Sequence, residues 1–116
     1  MAAFYRVSFE VANNEDLRQS FALSGTDATP IDLTGASLKM DVASASGTTA
    51  LEASTANGRI AILNATAGQI ELRVPAGILR GLEPGAYQHD LVLALPSGAV
   101  RRVWAGSLML IRGVTA

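Results

Sequence analysis

The sequence predicts an all-β fold, an antiparallel sandwich of about seven or eight short strands. Three observations predict it. Apolar and polar residues alternate in short runs, turn-forming residues separate these runs at intervals of about ten residues, and no run keeps a helical period for three turns. Strands of this length and spacing are typical of an immunoglobulin-like sandwich, and a small closed barrel is the alternative.

Length and composition indicate one domain. The chain has 116 residues, enough for one hydrophobic core without disulfides or metal. We expect a single β-sandwich domain over residues 1–116. The aromatic residues number only one Trp, two Tyr and three Phe, which predicts a thin core and favours further burial in an assembly.

The first half of the chain contains three clear strand patterns. Alternation predicts half-buried strands at residues 5–11, 17–23 and 38–42. The following residues, 44–58, are small and polar and end in an Asn-Gly turn signal, with room for a short edge strand around Leu51.

The second half begins with two more strands, at residues 60–62 and 70–74. Pro75 comes next, and proline suits the first position of a helix. We therefore expect a single helical turn there, with its leucines covering one end of the core.

The last two strands form a hairpin. Residues 96–98, Pro-Ser-Gly, fit a three-residue hairpin loop, which would pair Leu95 with Ala99. The returning strand, residues 100–111, changes phase along its length, because its first and last apolar residues do not share one alternation. Glycine tolerates the backbone of a bulge, so we predict a bulge near Gly106.

The only histidine, His89, stands beside Asp90 in the first strand of this hairpin. Neighbours on a strand point to opposite faces, so the two cannot act as a base and its orienting carboxylate. We expect His89 to be a packed, hydrogen-bonded core residue.

Other chemical sites are also not predicted. One histidine without cysteine cannot supply a usual zinc site, and the carboxylates of Asp27 and Asp32 lack the spacing of a calcium loop. No phosphate-binding glycine loop follows a strand. The sequence therefore predicts no catalytic, metal or cofactor-binding residues, and a protein that is not an enzyme.

Charge sets limits on the partners. Nine Lys and Arg balance ten Asp and Glu for a net charge of -1, so no strong field favours nucleic acid or an anionic membrane. No uncharged run approaches the roughly 18 residues of a membrane span, and Arg6 and Glu10 interrupt any signal-peptide core. We expect a soluble protein with neither nucleic acid nor membrane as partner.

Arg102 and Trp104 form the candidate interface. Alternation predicts that they share an exposed face, away from Val103 and Ala105, with Asp90 across from Trp104. Three interpretations are open: a cross-strand surface cluster, a protein interface, or a platform for nucleic acid or sugar. We take Arg102 and Trp104 as candidate interface residues, together with residues 44–57.

The strand and turn motifs resemble a group of small tailed-phage structural proteins. The resemblance lies in PIDLTGASLKMDV (30–42), STANGRIAI (54–62) and the stretch from Gly68 to Leu110, and it is nearest to the N-terminal module of phage upper-baseplate proteins. The positions that match the pattern of this group are Gly85, Tyr87, Asp90, Leu91, Leu93, Gly98 and Gly106.

This resemblance implies a non-enzymatic component of the virion, made in the host cytoplasm and placed on the tail, the baseplate or the capsid surface. It would bind other virion proteins, and copies of itself, through exposed strand edges and loops. The alternative is a carbohydrate-binding β-sandwich that helps the particle adhere to host cells.

Overall fold

The computed structural model describes residues 5–25 and 28–115, and these form nine strands and one short helix. In chain order the elements are β1 (Tyr5–Arg6), β2 (Phe9–Ala12), β3 (Leu17–Ala22), β4 (Ser37–Ala43), β5 (Thr49–Ser54), β6 (Ile60–Asn64), β7 (Gln69–Val74), α1 (Ala76–Leu79), β8 (Gly85–Ala94) and β9 (Val100–Ile111).

The strand predictions are confirmed with one difference. The edge strand expected around Leu51 is β5, and the helical turn expected after Pro75 is α1. The single strand expected at residues 5–11 is interrupted at Val7 and Ser8, which divides it into β1 and β2. In the described part of the chain, no helix is long and apolar enough to cross a membrane.

The strands form two sheets that pack face to face. The first sheet has the order β1–β9–β8–β4–β5, with β2 continuing β1 along β9, and the second has the order β3–β7–β6. Both β1 and β2 run parallel to β9, so the first sheet is mixed and not purely antiparallel as predicted. Inward-facing apolar residues of both sheets form one core, as in a β-sandwich.

Tyr87 identifies the corner between the sheets. It lies near the start of β8, and its hydroxyl donates a hydrogen bond to the carbonyl of Glu83, four residues earlier, at 2.5 Å. A tyrosine that bonds back to the backbone at this corner is a hallmark of immunoglobulin-like sandwiches. The strand order and this corner together give an immunoglobulin-like fold.

An aromatic cluster joins the two sheets. Trp104 of β9 lies 4.5 Å from Phe21 of β3, measured between ring centroids, and Phe9 of β2 lies 6.0 Å from Phe21 at an interplanar angle of 81°. His89 of β8 completes the cluster, 5.0 Å from Phe9. Since Phe21 belongs to the second sheet and the other three to the first, the two contacts of Phe21 cross the core.

The hairpin between β8 and β9 contains a bulge. Its loop closes as predicted, by a hydrogen bond from the Leu95 amide to the Ala99 carbonyl at 2.8 Å. Farther along, the register shifts between the pair Leu91–Trp104 and the next pair, Val92–Arg102, which leaves Val103 as the extra residue of β9.

Gly106, where the bulge was predicted, pairs regularly with His89, so that prediction was wrong. A different constraint acts on Gly106. The interrupted chain between β1 and β2 crosses it so closely that a Cβ atom would stand 1.7 Å from the Val7 carbonyl oxygen. Glycine is needed here because another backbone approaches it, and not because the strand bulges.

We expect Gly106→Ala to lower the free energy of unfolding by about 3 kcal/mol, the upper end of overpacking costs, because the Val7 backbone must move. Urea unfolding measures this. Gly77→Ala is the control: its added methyl group meets nothing within 4 Å, and stability should stay the same or rise by up to about 1 kcal/mol. Equal stability of Gly106→Ala and wild type would contradict the close approach.

Candidate protein-binding face

Trp104 is not exposed, so the prediction that it lies on an exposed face with Arg102 was wrong. The residue is 2% exposed and packs in the aromatic cluster. The bulge at Val103 is the reason, because one extra residue shifts the alternation of β9 and turns both Val103 and Trp104 inward. Asp90 consequently pairs with Ala105, and not with Trp104 as predicted.

Arg102 does lie on the surface, as predicted. Its Nε atom is 3.3 Å from Oδ2 of Asp90, and more than half of its side chain is exposed. The surface cluster expected around Asp90 therefore exists as an Arg102–Asp90 ion pair, without Trp104 as a cover. Whether Arg102 contacts a partner stays a prediction.

A charged row crosses the exposed face of the first sheet, which we call the outer face. Strand register places five residues side by side, one from each strand, so that the row reads Arg6, Ala105, Asp90, Asp41 and Glu52. Three carboxylates thus stand next to one another on β8, β4 and β5, with a cation at the far end on β1.

Two ion pairs compensate the outer carboxylates of this row. Arg102 lies beside Asp90, and Lys39 Nζ lies 3.8 Å from Glu52 Oε2. Both pairs are substantially exposed, so each contributes little stability. Between them, Oδ1 of Asp41 is buried and accepts no hydrogen bond. Like charges directly across a sheet are destabilising, so Asp41 is the least favourable position of the row.

Two large apolar side chains are exposed near the end of β9 on the outer face. Met109 is 46% exposed and Ile111 is 42% exposed. Register places Met109 between Ala86 of β8 and the exposed Glu10 of β2, and Ile111 beside Ala12. Exposed large apolar side chains next to charged groups are typical of surfaces that bind other proteins.

Backbone groups of the predicted contact region, residues 44–57, are partly hydrogen-bonded to nearby side chains. Asn57 Nδ2 and Arg59 Nη1 both donate hydrogen bonds to the Glu52 carbonyl, at 3.0 and 2.9 Å, and the Ser54 amide donates to Asn57 Oδ1. These bonds occupy the Glu52 carbonyl and the Ser54 amide at one end of edge strand β5. An incoming strand would have to displace them to pair at that end.

His89 is a core residue, as predicted, and Asp90 lies on the opposite face. The imidazole is 4% exposed, and its Nε2 lies 3.3 Å from the Ser107 carbonyl. Nδ1 is buried and makes no hydrogen bond of good geometry. Burial lowers the pKa of His89 below its ordinary value of 6.5, partly offset by the Ser107 and Val7 carbonyls and by the Asp90 charge.

The turn carboxylates considered as calcium ligands have other roles or positions. Oδ1 of Asp32 accepts hydrogen bonds from the hydroxyl and the amide of Thr34, at 2.6 and 3.0 Å, and these bonds lower the pKa of Asp32. Asp27 lies outside the described residues. Within residues 5–25 and 28–115, no three His, Cys, Asp or Glu side chains are grouped so that they could hold a metal ion.

The comparisons with known proteins define the fold alone. No family model and no curated protein matches this sequence. Among solved structures, CopC from Methylosinus trichosporium OB3b is similar with a TM-score of 0.53 and 11% identity, over 94% of this chain and 88% of CopC. The structure of Drosophila OTK extracellular domains 3–5 has a TM-score of 0.36 and 13% identity, over 92% of this chain and 33% of that three-domain chain.

The likeness to CopC confirms the predicted immunoglobulin-like sandwich. It brings no activity or partner to this chain, because sandwiches of this type serve many unrelated functions. The virion assignment stays a prediction.

Sequence reasoning missed most of the outer face. Arg6, Asp41, Glu52 and Met109 were not selected, although alternation within each strand already places them on exposed positions. What was missing is the register between β1, β9, β8, β4 and β5, since these strands are far apart in the sequence.

We expect Asp41→Asn to raise the free energy of unfolding by up to about 1 kcal/mol, because it removes one like charge between Asp90 and Glu52. The gain should shrink at about 1 M salt, where charges are screened over roughly 3 Å. Urea unfolding at low and high salt measures both effects. Glu83→Gln, on an exposed residue outside the row, is the control; an equal gain there would contradict the role of the row.

We expect the free energy of unfolding to fall as the pH drops below about 6.5. The imidazole of His89 then becomes protonated in the unfolded chain but stays neutral in the folded chain, where burial lowers its pKa. The loss continues until the pH reaches the lowered pKa of folded His89, with a slope of at most about 1.4 kcal/mol per pH unit. His89→Phe should remove this part of the slope. Unfolding free energies from about pH 8 to about pH 5 test it; parallel profiles for the two proteins would refute it.

Proposed function

We propose that this chain is a non-enzymatic structural protein of a phage virion, on the tail, the baseplate or the capsid surface, and that it binds other virion proteins and copies of itself. The outer face supports binding to proteins, because it carries the exposed apolar side chains of Met109 and Ile111 and the charged row on one sheet. The virion setting comes from the resemblance of the strand and turn motifs to phage structural proteins.

The two parts of the outer face serve different purposes in this proposal. Met109 and Ile111 supply apolar area, which contributes most of the affinity. The charged row, from Arg6 to Glu52, fixes orientation, because a partner in the wrong register places like charges together. A virion repeats identical sites by symmetry, so a modest interface can hold a small module when several copies engage at once.

The environment of His89 supports a non-enzymatic role. The only imidazole of the chain packs against Phe9 and pairs with a main-chain carbonyl. A general base needs to reach the proton it abstracts from a substrate, whereas this ring is 4% exposed and its Nε2 is already paired with the Ser107 carbonyl.

The outer face favours proteins over carbohydrates as partners. A sugar platform uses exposed aromatic rings, and Trp104 was the ring expected to provide it. Each of the five aromatic side chains that the structure describes is buried or half-buried: Tyr5, Phe9, Phe21, Tyr87 and Trp104.

We expect Met109→Asp to lower the number of copies per particle at least about fivefold, because it places a charge in the apolar part of the interface. Quantitative mass spectrometry of purified particles measures the copy number. Leu63→Asp is the matched control: Leu63 is also exposed, at 49%, but belongs to the second sheet. Its copy number should stay within about twofold of wild type.

Equal effects of the two substitutions would contradict the outer face as the contact surface. Absence of the wild-type chain from purified particles would contradict the virion role itself. Both variants should melt within a few degrees of wild type, because each changes one exposed side chain.

A further inference from the structure

A polar hollow opens on the outer face where β1, β9 and β8 meet. It measures about 240 Å³, and its lining includes Ala105 and Gly106, the two smallest residues in this part of β9. Pockets for drug-sized ligands measure roughly 300–1,000 Å³. The hollow therefore fits one small chemical group and not a whole metabolite.

Hydrogen-bond donors surround this hollow. Arg6 lines it from β1 and Arg102 from β9, while Ser8, Gln88 and Ser107 line its opposite side. The Ser107 hydroxyl donates a hydrogen bond to Ser8 Oγ at 3.4 Å, and both hydroxyls can rotate to donate to an acceptor in the hollow. His89 reaches the hollow from the core side, where its ring is buried and its Nδ1 makes no hydrogen bond of good geometry.

The charges around the hollow select the ligand. Two guanidinium groups, Arg6 and Arg102, face it, and the Asp90 carboxylate beside Arg102 cancels one of the two charges. The buried imidazole is neutral at neutral pH, because burial lowers the pKa of His89. One net positive charge matches an anion of charge minus one, whereas a phosphate dianion would be repelled by Asp90 and by the acidic row beyond it.

We infer that the polar hollow is a binding site for a single carboxylate, presented by an acidic side chain of a protein partner. Guanidinium groups hold carboxylates through paired, charge-assisted hydrogen bonds, and the serine hydroxyls and the Gln88 amide can donate to the remaining lone pairs. The identity of the partner as a protein rests on the proposed function. The carboxylate site itself is a property of the isolated chain.

The test uses the whole chain labelled with 15N and titrated with N-acetylglutamate α-amide at constant ionic strength. N-acetylglutamine α-amide, which has the same shape without the charge, is the ligand control. We expect saturable chemical-shift changes at Ser8, Gln88 and Ser107, with a dissociation constant on the order of millimolar for so small a ligand. The glutamine compound should produce no saturable change.

Variants separate this site from general surface charge. Arg6→Gln and Arg102→Gln should each weaken binding at least about fivefold, because each removes a charge-assisted contact. Arg101→Gln removes the same charge from an exposed neighbour of Arg102 that does not line the hollow, and its affinity should change less than about twofold. Asp90→Asn should strengthen binding about twofold or more, since it removes the competing carboxylate.

Three results would overturn the inference. They are equal shifts with the glutamate and glutamine compounds, an equal loss of affinity in Arg101→Gln and Arg102→Gln, or binding of inorganic phosphate more than about tenfold tighter than the glutamate compound. A chain that fails to bind carboxylate yet is present in particles refutes this site alone. A chain that binds carboxylate yet is absent from particles refutes the proposed function alone.

Discussion

The contact between Trp104 and Phe21 joins the first sheet to the second across the core. It brings a ring of β9 against a ring of β3, with Phe9 and His89 beside them, and so closes one sheet onto the other. Antibody domains make this connection with a disulfide and a tryptophan, and the second cysteine stands two residues after the corner tyrosine. His89 occupies that position after Tyr87. Ring packing, worth about 0.5–1.5 kcal/mol per pair beyond area burial, joins the sheets here.

Burial of Trp104 determines what the surface presents. The extra residue Val103 allows Trp104 to enter the core, and it thereby sets the alternation of the rest of β9. Ala105, Ser107 and Met109 face outward as a result. The small residues leave room for the polar hollow, while the methionine gives the apolar end. The burial of Trp104 in the core therefore determines which residues of β9 lie on the candidate binding face.

Gly106 and His89 connect the core with that face. The chain between β1 and β2 passes over Gly106, and the imidazole beneath it pairs with the Ser107 carbonyl. A side chain at position 106 would displace the Val7 backbone and, with it, the neighbouring Arg6 at the rim of the hollow. Fold stability and the geometry of the hollow are therefore coupled at one residue, because the same close approach serves both.

Most strands, the helical turn after Pro75 and the hairpin that pairs Leu95 with Ala99 follow from the sequence alone, because alternation, proline and turn residues act over a few neighbouring positions. Alternation also places His89 inside and Arg102 outside. The bulge at Val103, the burial of Trp104, the parallel pairing of β1 and β2, and the row that sets Asp41 between two carboxylates become visible only in the folded chain. The row and the parallel pairing depend on register between strands that are far apart in the sequence. The bulge and the burial of Trp104 arise because the free energy of burying a large ring outweighs the local alternation.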